Sequence, residues 1–212
     1  MTCSHAGIGL RHVAVLALAA WCLVGCATLG QLAGSLTNLQ RLKFKLGPAH
    51  DFTVLGVPLA NKSDLADFSV ADALRLAQGF RAKRLPADLV LDVLAVNPND
   101  GTGGSPRTVS TLTSLESRLL IDDRPTVTAN IDRPIEIPGT GQETRIPLRF
   151  TLDLWEFFGA RGYEDIIRLA LAIGGARGNA SRLSLDTQPR VATPFGNITY
   201  PGRITIIDRE FR

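Results

Sequence analysis

The 212-residue chain sets 23 Lys and Arg against 20 Asp and Glu, for a net charge of +3. That near-neutrality offers none of the strongly basic surface that nucleic acid demands. No G-x-S-x-G, G-x-x-x-x-G-K-[ST], H-E-x-x-H or S-x-x-K motif is present, which argues against the commonest hydrolytic and nucleotide-binding chemistries and against an enzyme in general.

The apolar run Val13–Val24 follows Arg11 and His12, with no acidic residue before it. A cationic flank and about 7–15 apolar residues ending in small ones describe a secretory signal, whereas a membrane-spanning helix needs about 20. Leu23-Val24-Gly25-Cys26 resembles the lipobox of bacterial lipoproteins. That resemblance implies cleavage after Gly25, a diacylglycerol thioether on Cys26 and acylation of the new amine, with palmitate as a representative chain. Each buried methylene contributes about 0.8 kcal/mol, so more than one chain makes a stable anchor. Ala27, standing where an aspartate would retain the protein at the inner membrane, implies the outer membrane and its periplasmic face; the inner membrane is the alternative. Residues 1–25 are then the removed signal, 26–40 the lipidated N-terminus and tether, and 41–212 the folded domain. Loss of the signal leaves Cys26 as the one cysteine and His50 as the one histidine. Neither a disulfide, a zinc centre nor a His-dependent nucleophile is expected, and no cofactor.

From residue 41 the polar and apolar residues alternate. "RLKFKL" sets Leu42, Phe44 and Leu46 against Arg41, Lys43 and Lys45, and "FTVLGVPL" (Phe52–Leu59) reads as its partner strand across Gly47-Pro48. Ser69 opens a helix with Asp72 three residues on, and Val70, Leu74, Ala77 and Phe80 recur on one face. "ADLVLDVLAV" (Ala87–Val96) is an apolar strand that stops at Asn97-Pro98-Asn99-Asp100-Gly101, where Asn and Gly supply turn chemistry. "LESRLLID" leads through Asp122-Asp123-Arg124 to "PTVTANIDRPIEIP", a hairpin signature whose acidic tip needs no catalytic explanation. "RIPLRFTLDL" alternates cleanly, with Ile146, Leu148, Phe150, Leu152 and Leu154 on one side.

Trp155, Phe157 and Phe158 then open a helical insertion that ends at Gly174-Gly175. Two further strands, "ASRLSLDTQPRVATP" and "GRITIIDREF", flank the turn "FGNITYPG". Seven or eight strands with turns between them and two short helical insertions predict a mainly β fold, an immunoglobulin-like or fibronectin-like β-sandwich.

Over about residues 40–212 the order of these elements resembles the late-embryogenesis-abundant type 2 domain, also called the water stress and hypersensitive response domain, in its bacterial lipoprotein form. Asn97-Pro98-Asn99, Ile135-Glu136-Ile137-Pro138, and Thr193-Pro194-Phe195-Gly196 through Tyr200-Pro201-Gly202 carry the likeness. The helix near 69–83 and the insertion at 155–175 depart from it. The resemblance implies a β-sandwich associated with stress tolerance and without catalytic activity, and lipid binding has been proposed for membrane-anchored relatives.

Three groups of residues are therefore candidate sites. Cys26 is the lipidation site. Asn97, Pro98 and Asn99 form a turn motif that reads as structural. Trp155, Phe157, Phe158 and Ile167 concentrate large apolar groups, either as core covering one end of the sandwich or as an apolar site for a lipid or an envelope protein partner. The resulting expectation is a membrane-anchored lipoprotein with a non-enzymatic binding or stress-protective role; a lipid-handling module and an accessory subunit of an envelope complex are the alternatives.

Overall fold

In the computed structural model, which describes residues 41–102, 107–178, 182–193, 196–208 and 211, strands form wherever the period of two persists. They are β1 (Lys43–Val54), β2 (Val57–Pro58), β3 (Pro86–Val96), β4 (Ser110–Ile121), β5 (Arg124–Ala129), β6 (Ile135–Ile137), β7 (Glu143–Asp153), β8 (Leu183–Thr193), β9 (Gly196–Thr199) and β10 (Ile204–Ile206). The α-helices are α1 (Val70–Arg81), α2 (Leu154–Phe158) and α3 (Tyr163–Gly174). One antiparallel sheet runs β2-β1-β3-β7; the other runs β10-β8-β4-β5, with β6 on β4 and β9 on β8. Setting aside the short strands β2, β6 and β9, this is the division of strands found in immunoglobulin-like sandwiches.

Leu89, Leu91 and Val93 of β3 and Ile146, Leu148 and Phe150 of β7 are buried, as are Leu115, Leu119 and Ile121 of β4 and Leu185 of β8. Ser117 and Thr187, paired across β4 and β8, are also fully buried. Their hydroxyls lie 2.7 Å apart, and each reaches a backbone carbonyl, of Leu115 or Glu116, at 3.0 Å. That satisfies a polar pair which would otherwise cost free energy.

Two tight hairpins turn through the left-handed region, which Gly and Asp adopt readily and Leu55 only at a cost. Asp122 (φ 50°) and Asp123 (φ 61°) join β4 to β5, and Leu55 (φ 52°) and Gly56 (φ 74°) join β1 to β2. Positive φ at both central positions defines the turn whose twist suits flanking strands.

Three local expectations are corrected. Gly47-Pro48 is not a hairpin turn but a bulge inside one continuous β1, because Leu46 still pairs with Val93 and Ala49 with Leu91. The strand expected from Pro125 to Pro138 is broken: Asn130 Oδ1 accepts the Leu115 N–H at 2.7 Å and the Ile131 N–H at 2.9 Å, which intercepts the ladder. Helix α1 starts at the Ser69 cap as expected, with Ser69 Oγ accepting the Asp72 N–H at 3.1 Å. Its buried face is different, however. Val70 is 87% and Leu74 55% exposed, while Leu76 is fully buried. The helix seats through Leu76 and Gly79, where an added Cβ would stand 2.3 Å from Leu55 Cδ1. Helix α3 ends at Gly174-Gly175 as expected, with Gly175 in extended backbone (φ −76°). Glycine is required there by close approach, since a Cβ would lie 2.6 Å from the carbonyls of Leu171 and Lys62.

The helices gather at the end of the sandwich where β1 and β7 finish and β3 begins. Leu154 N–H donates to Leu85 O at 2.9 Å, and Asp153 Oδ1 accepts the N–H groups of Leu85 (2.8 Å) and Trp155 (2.9 Å). Asn97 and the β4 start lie at the opposite end, as does Arg41, where the described chain begins.

Candidate functional site

Cys26 lies outside the described residues. The aromatic insertion lies within them, and its side chains go to separate places. Phe158 is 2% and Ile167 1% exposed. The Phe158 ring is covered by the guanidiniums of Arg161 at 5.2 Å and Arg124 at 5.7 Å. Trp155 instead meets Phe80 of α1 edge-on at 4.9 Å, and Phe80 meets Tyr163 at 5.5 Å. Burial raises the Tyr163 hydroxyl above its ordinary pKa. Phe157 is half-buried. The insertion is thus tied to the sandwich on one side and to α1 on the other.

Asn97-Pro98-Asn99 is a buried clasp, with Asn97 and Asn99 both fully buried. Asn97 Nδ2 donates to the carbonyls of Thr108 (2.8 Å) and Ile137 (3.0 Å), with Ser110 Oγ at 3.3 Å. Its Oδ1 accepts from the Asn99 N–H (3.1 Å) and Asn99 Nδ2 (2.9 Å). One amide therefore joins the end of β3 to β6 and to the segment entering β4. Arg41 Nη1 donates to Asn99 Oδ1 at 3.2 Å, which fastens the start of the domain to the same clasp.

At the other end, the hairpin residue Asp122 accepts from Arg182 Nε (2.6 Å) and Nη2 (2.7 Å) and from Arg161 Nη2 (3.2 Å). Partial burial pushes this carboxyl up, but the hydrogen bonds and charges of Arg182 and Arg161 outweigh it and hold the pKa below the usual value. The hairpin tip is an ion-pair anchor for the helical insertion.

A third cluster was not singled out from the sequence. On the outer face of the first sheet, cross-strand rows run Lys45–Leu94–Arg145, then Asp92–Pro147 opposite the bulge, then His50–Val90–Arg149. Asp92 stands in the centre with its side chain 1% exposed. His50 Nε2 is 3.4 Å from its Oδ1, and Arg145 Nε is 3.4 Å from its Oδ2, which has no hydrogen-bond partner. The visible signal was a lone carboxylate inside "LVLDVL". Beside it, along the free edge of β7, Ile131, Asp132, Arg133, Ile135, Arg145 and Pro147 line a hollow of about 330 Å³. Arg133 makes no ion pair among the described residues.

Among the described residues, no group of three or more His, Cys, Asp or Glu is arranged to hold a metal ion, and no helix is long and apolar enough to cross a membrane. Compared with family models, curated proteins and solved structures, the chain matches none.

Proposed function

We propose that the protein is a lipid-anchored β-sandwich facing the periplasm from the outer membrane, with a non-enzymatic binding or stress-protective role. The observation that carries the anchor is the run from Arg11 to Cys26, in which a cationic flank, an apolar stretch and Leu23-Val24-Gly25-Cys26 stand in the order a lipoprotein signal requires. The packing of the domain supports a non-enzymatic reading. Its densest apolar insertion places Phe158 and Ile167 in the core, and its most connected polar residues, Asn97 and Asp122, hold chain segments together. The likeness of Asn97-Pro98-Asn99 and its companion segments to the late-embryogenesis-abundant type 2 domain supplies the protective role.

A second reading, an accessory subunit of an envelope complex, is favoured by the exposed Val70 and Leu74 one turn apart on α1. The anchor is tested by labelling cells with radioactive palmitate. The full chain should take up label and sediment with outer membrane, and Cys26→Ala should lose the label and leave a longer, uncleaved product. Label that persists in Cys26→Ala would sink the anchor.

A further inference from the structure

We propose that the hollow beside β7 binds an anionic headgroup, a phosphate or carboxylate carried on a hydrocarbon body, gripped by Arg133 and Arg145. Burying a carboxylate such as that of Asp92 costs several kcal/mol, and an ion pair repays this only when geometry and hydrogen bonding are good. Here the geometry is poor for stability, with 3.4 Å separations on both sides and an Oδ2 that lacks a hydrogen bond. What Asp92 does accomplish is to draw the Nε edge of Arg145 toward itself, an ion pair at 3.4 Å without a hydrogen bond on a side chain that is 67% exposed. A guanidinium drawn toward a carboxylate by its Nε edge keeps its terminal amino groups for a second partner, and Arg145 donates no hydrogen bond among the described residues. Planar, forked donors of this kind match phosphate and carboxylate oxygens.

The rest of the lining suits an amphiphile. Arg133 supplies a second cation, unpaired among the described residues, while Ile131, Ile135 and Pro147 give an apolar wall for the first methylenes. The volume of about 330 Å³ lies at the small end of ligand sites and fits a headgroup with a short hydrocarbon stub. Asp132 also lines the hollow, and with Asp92 on Arg145 two carboxylates balance the two guanidiniums, so a singly charged group held by forked hydrogen bonds fits better than a doubly charged one. The hollow lies in the half of the sandwich nearer Arg41, beside the row that holds Lys45. A phospholipid as the source of the headgroup rests on the anchor proposed above; the anion site does not.

The test is calorimetric titration of the full-chain lipoprotein, purified in a neutral maltoside detergent, with dihexanoyl phosphatidylglycerol, dihexanoyl phosphatidylcholine and inorganic phosphate. Saturable binding of the phosphatidylglycerol is expected, with at least tenfold weaker binding of the other two. Arg133→Gln and Arg145→Gln, both exposed and expected to fold, should each weaken it at least tenfold. Asp92→Asn separates positioning from net charge: loss of a carboxylate alone would tighten anion binding, whereas loss of the hold on Arg145 should weaken it several-fold. Asp132→Asn should tighten it. Equal affinity for inorganic phosphate would keep the anion site and overturn the lipid source. No saturable anion binding, or binding unchanged in Arg133→Gln and Arg145→Gln, would overturn the site; tighter binding in Asp92→Asn would overturn the role of Asp92. Because lipid is added to purified protein, failure of palmitate labelling in cells would leave these results standing.

Discussion

Replacing Asn97 with alanine should be among the most destabilising single changes in the domain. The substitution removes an amide that donates to the carbonyls of Thr108 and Ile137 and accepts the N–H of Asn99. Asn99 is itself fully buried, so water does not readily take over these groups. Loss of the bonds to two carbonyls and of the acceptor for one N–H, at about 1–3 kcal/mol each and reduced for partial relaxation, puts the cost at about 4 kcal/mol. That is a large share of a typical domain stability of about 5–15 kcal/mol. In urea denaturation followed by circular dichroism, with a slope of about 2 kcal/mol per molar, the midpoint should fall by about 2 M. Asn97→Asp keeps the acceptor but turns a second oxygen toward two carbonyls, so at neutral pH it should be at least as damaging as alanine. Acidification should recover part of that loss, since a protonated carboxyl regains one donor. An alanine variant within about 1 kcal/mol of the parent would refute the reasoning, because it would mean that the clasp does not bear on folding.

Phe150, fully buried on β7, should cost about 3–5 kcal/mol when truncated to alanine, read from the same denaturation curves. Gly79→Ala should cost about 1–3 kcal/mol, because the added Cβ would stand 2.9 Å from the Arg84 carbonyl oxygen as well as 2.3 Å from Leu55 Cδ1, and loosen α1, seen as a lower melting temperature. Asp122 has a lowered pKa, so its contribution is present above the ordinary carboxyl range near about 3.9 and is lost as pH falls through its folded value. Asp122→Asn should therefore be less stable than the parent at pH 7, and the gap in melting temperature should close toward pH 2. A gap that stays constant with pH would show that Asp122 acts without its charge.

The elements easiest to read were those with one face on the core and one in water. On β7, "RIPLRFTL" alternates without exception, and the burial of Ile146, Leu148 and Phe150 follows from it. The Asp122-Asp123 hairpin was legible because few residues accept two successive positive φ angles. The face of α1 was not legible: its stripe at 70, 74, 77 and 80 has helical spacing, but the seat is set by Leu55 meeting Gly79, a contact between distant segments. Gly47-Pro48 looked like a turn because bulges and turns use the same residues. The Asn97 clasp was half visible. A local Asx turn is a sequence property, whereas its bonds to Thr108 and Ile137 depend on where β4 and β6 arrive. Asp92 and Arg145 are 53 positions apart, and only the registers of β3 and β7 bring them together.

The β1 strand also decides how the domain carries load. It lies against β3 along nearly its full length, and near its start the Leu46 N–H also donates to Ile207 O at 2.9 Å, just beyond β10. A pull that enters at Arg41 along the strand axis therefore meets the β1–β3 hydrogen bonds side by side, in shear, instead of peeling them away one at a time. The two bulges divide that ladder into short blocks that share the force. Stretched from its N-terminus, the domain should hold and then give way in one abrupt step, a mechanical character that fits the lipid anchor proposed for that end.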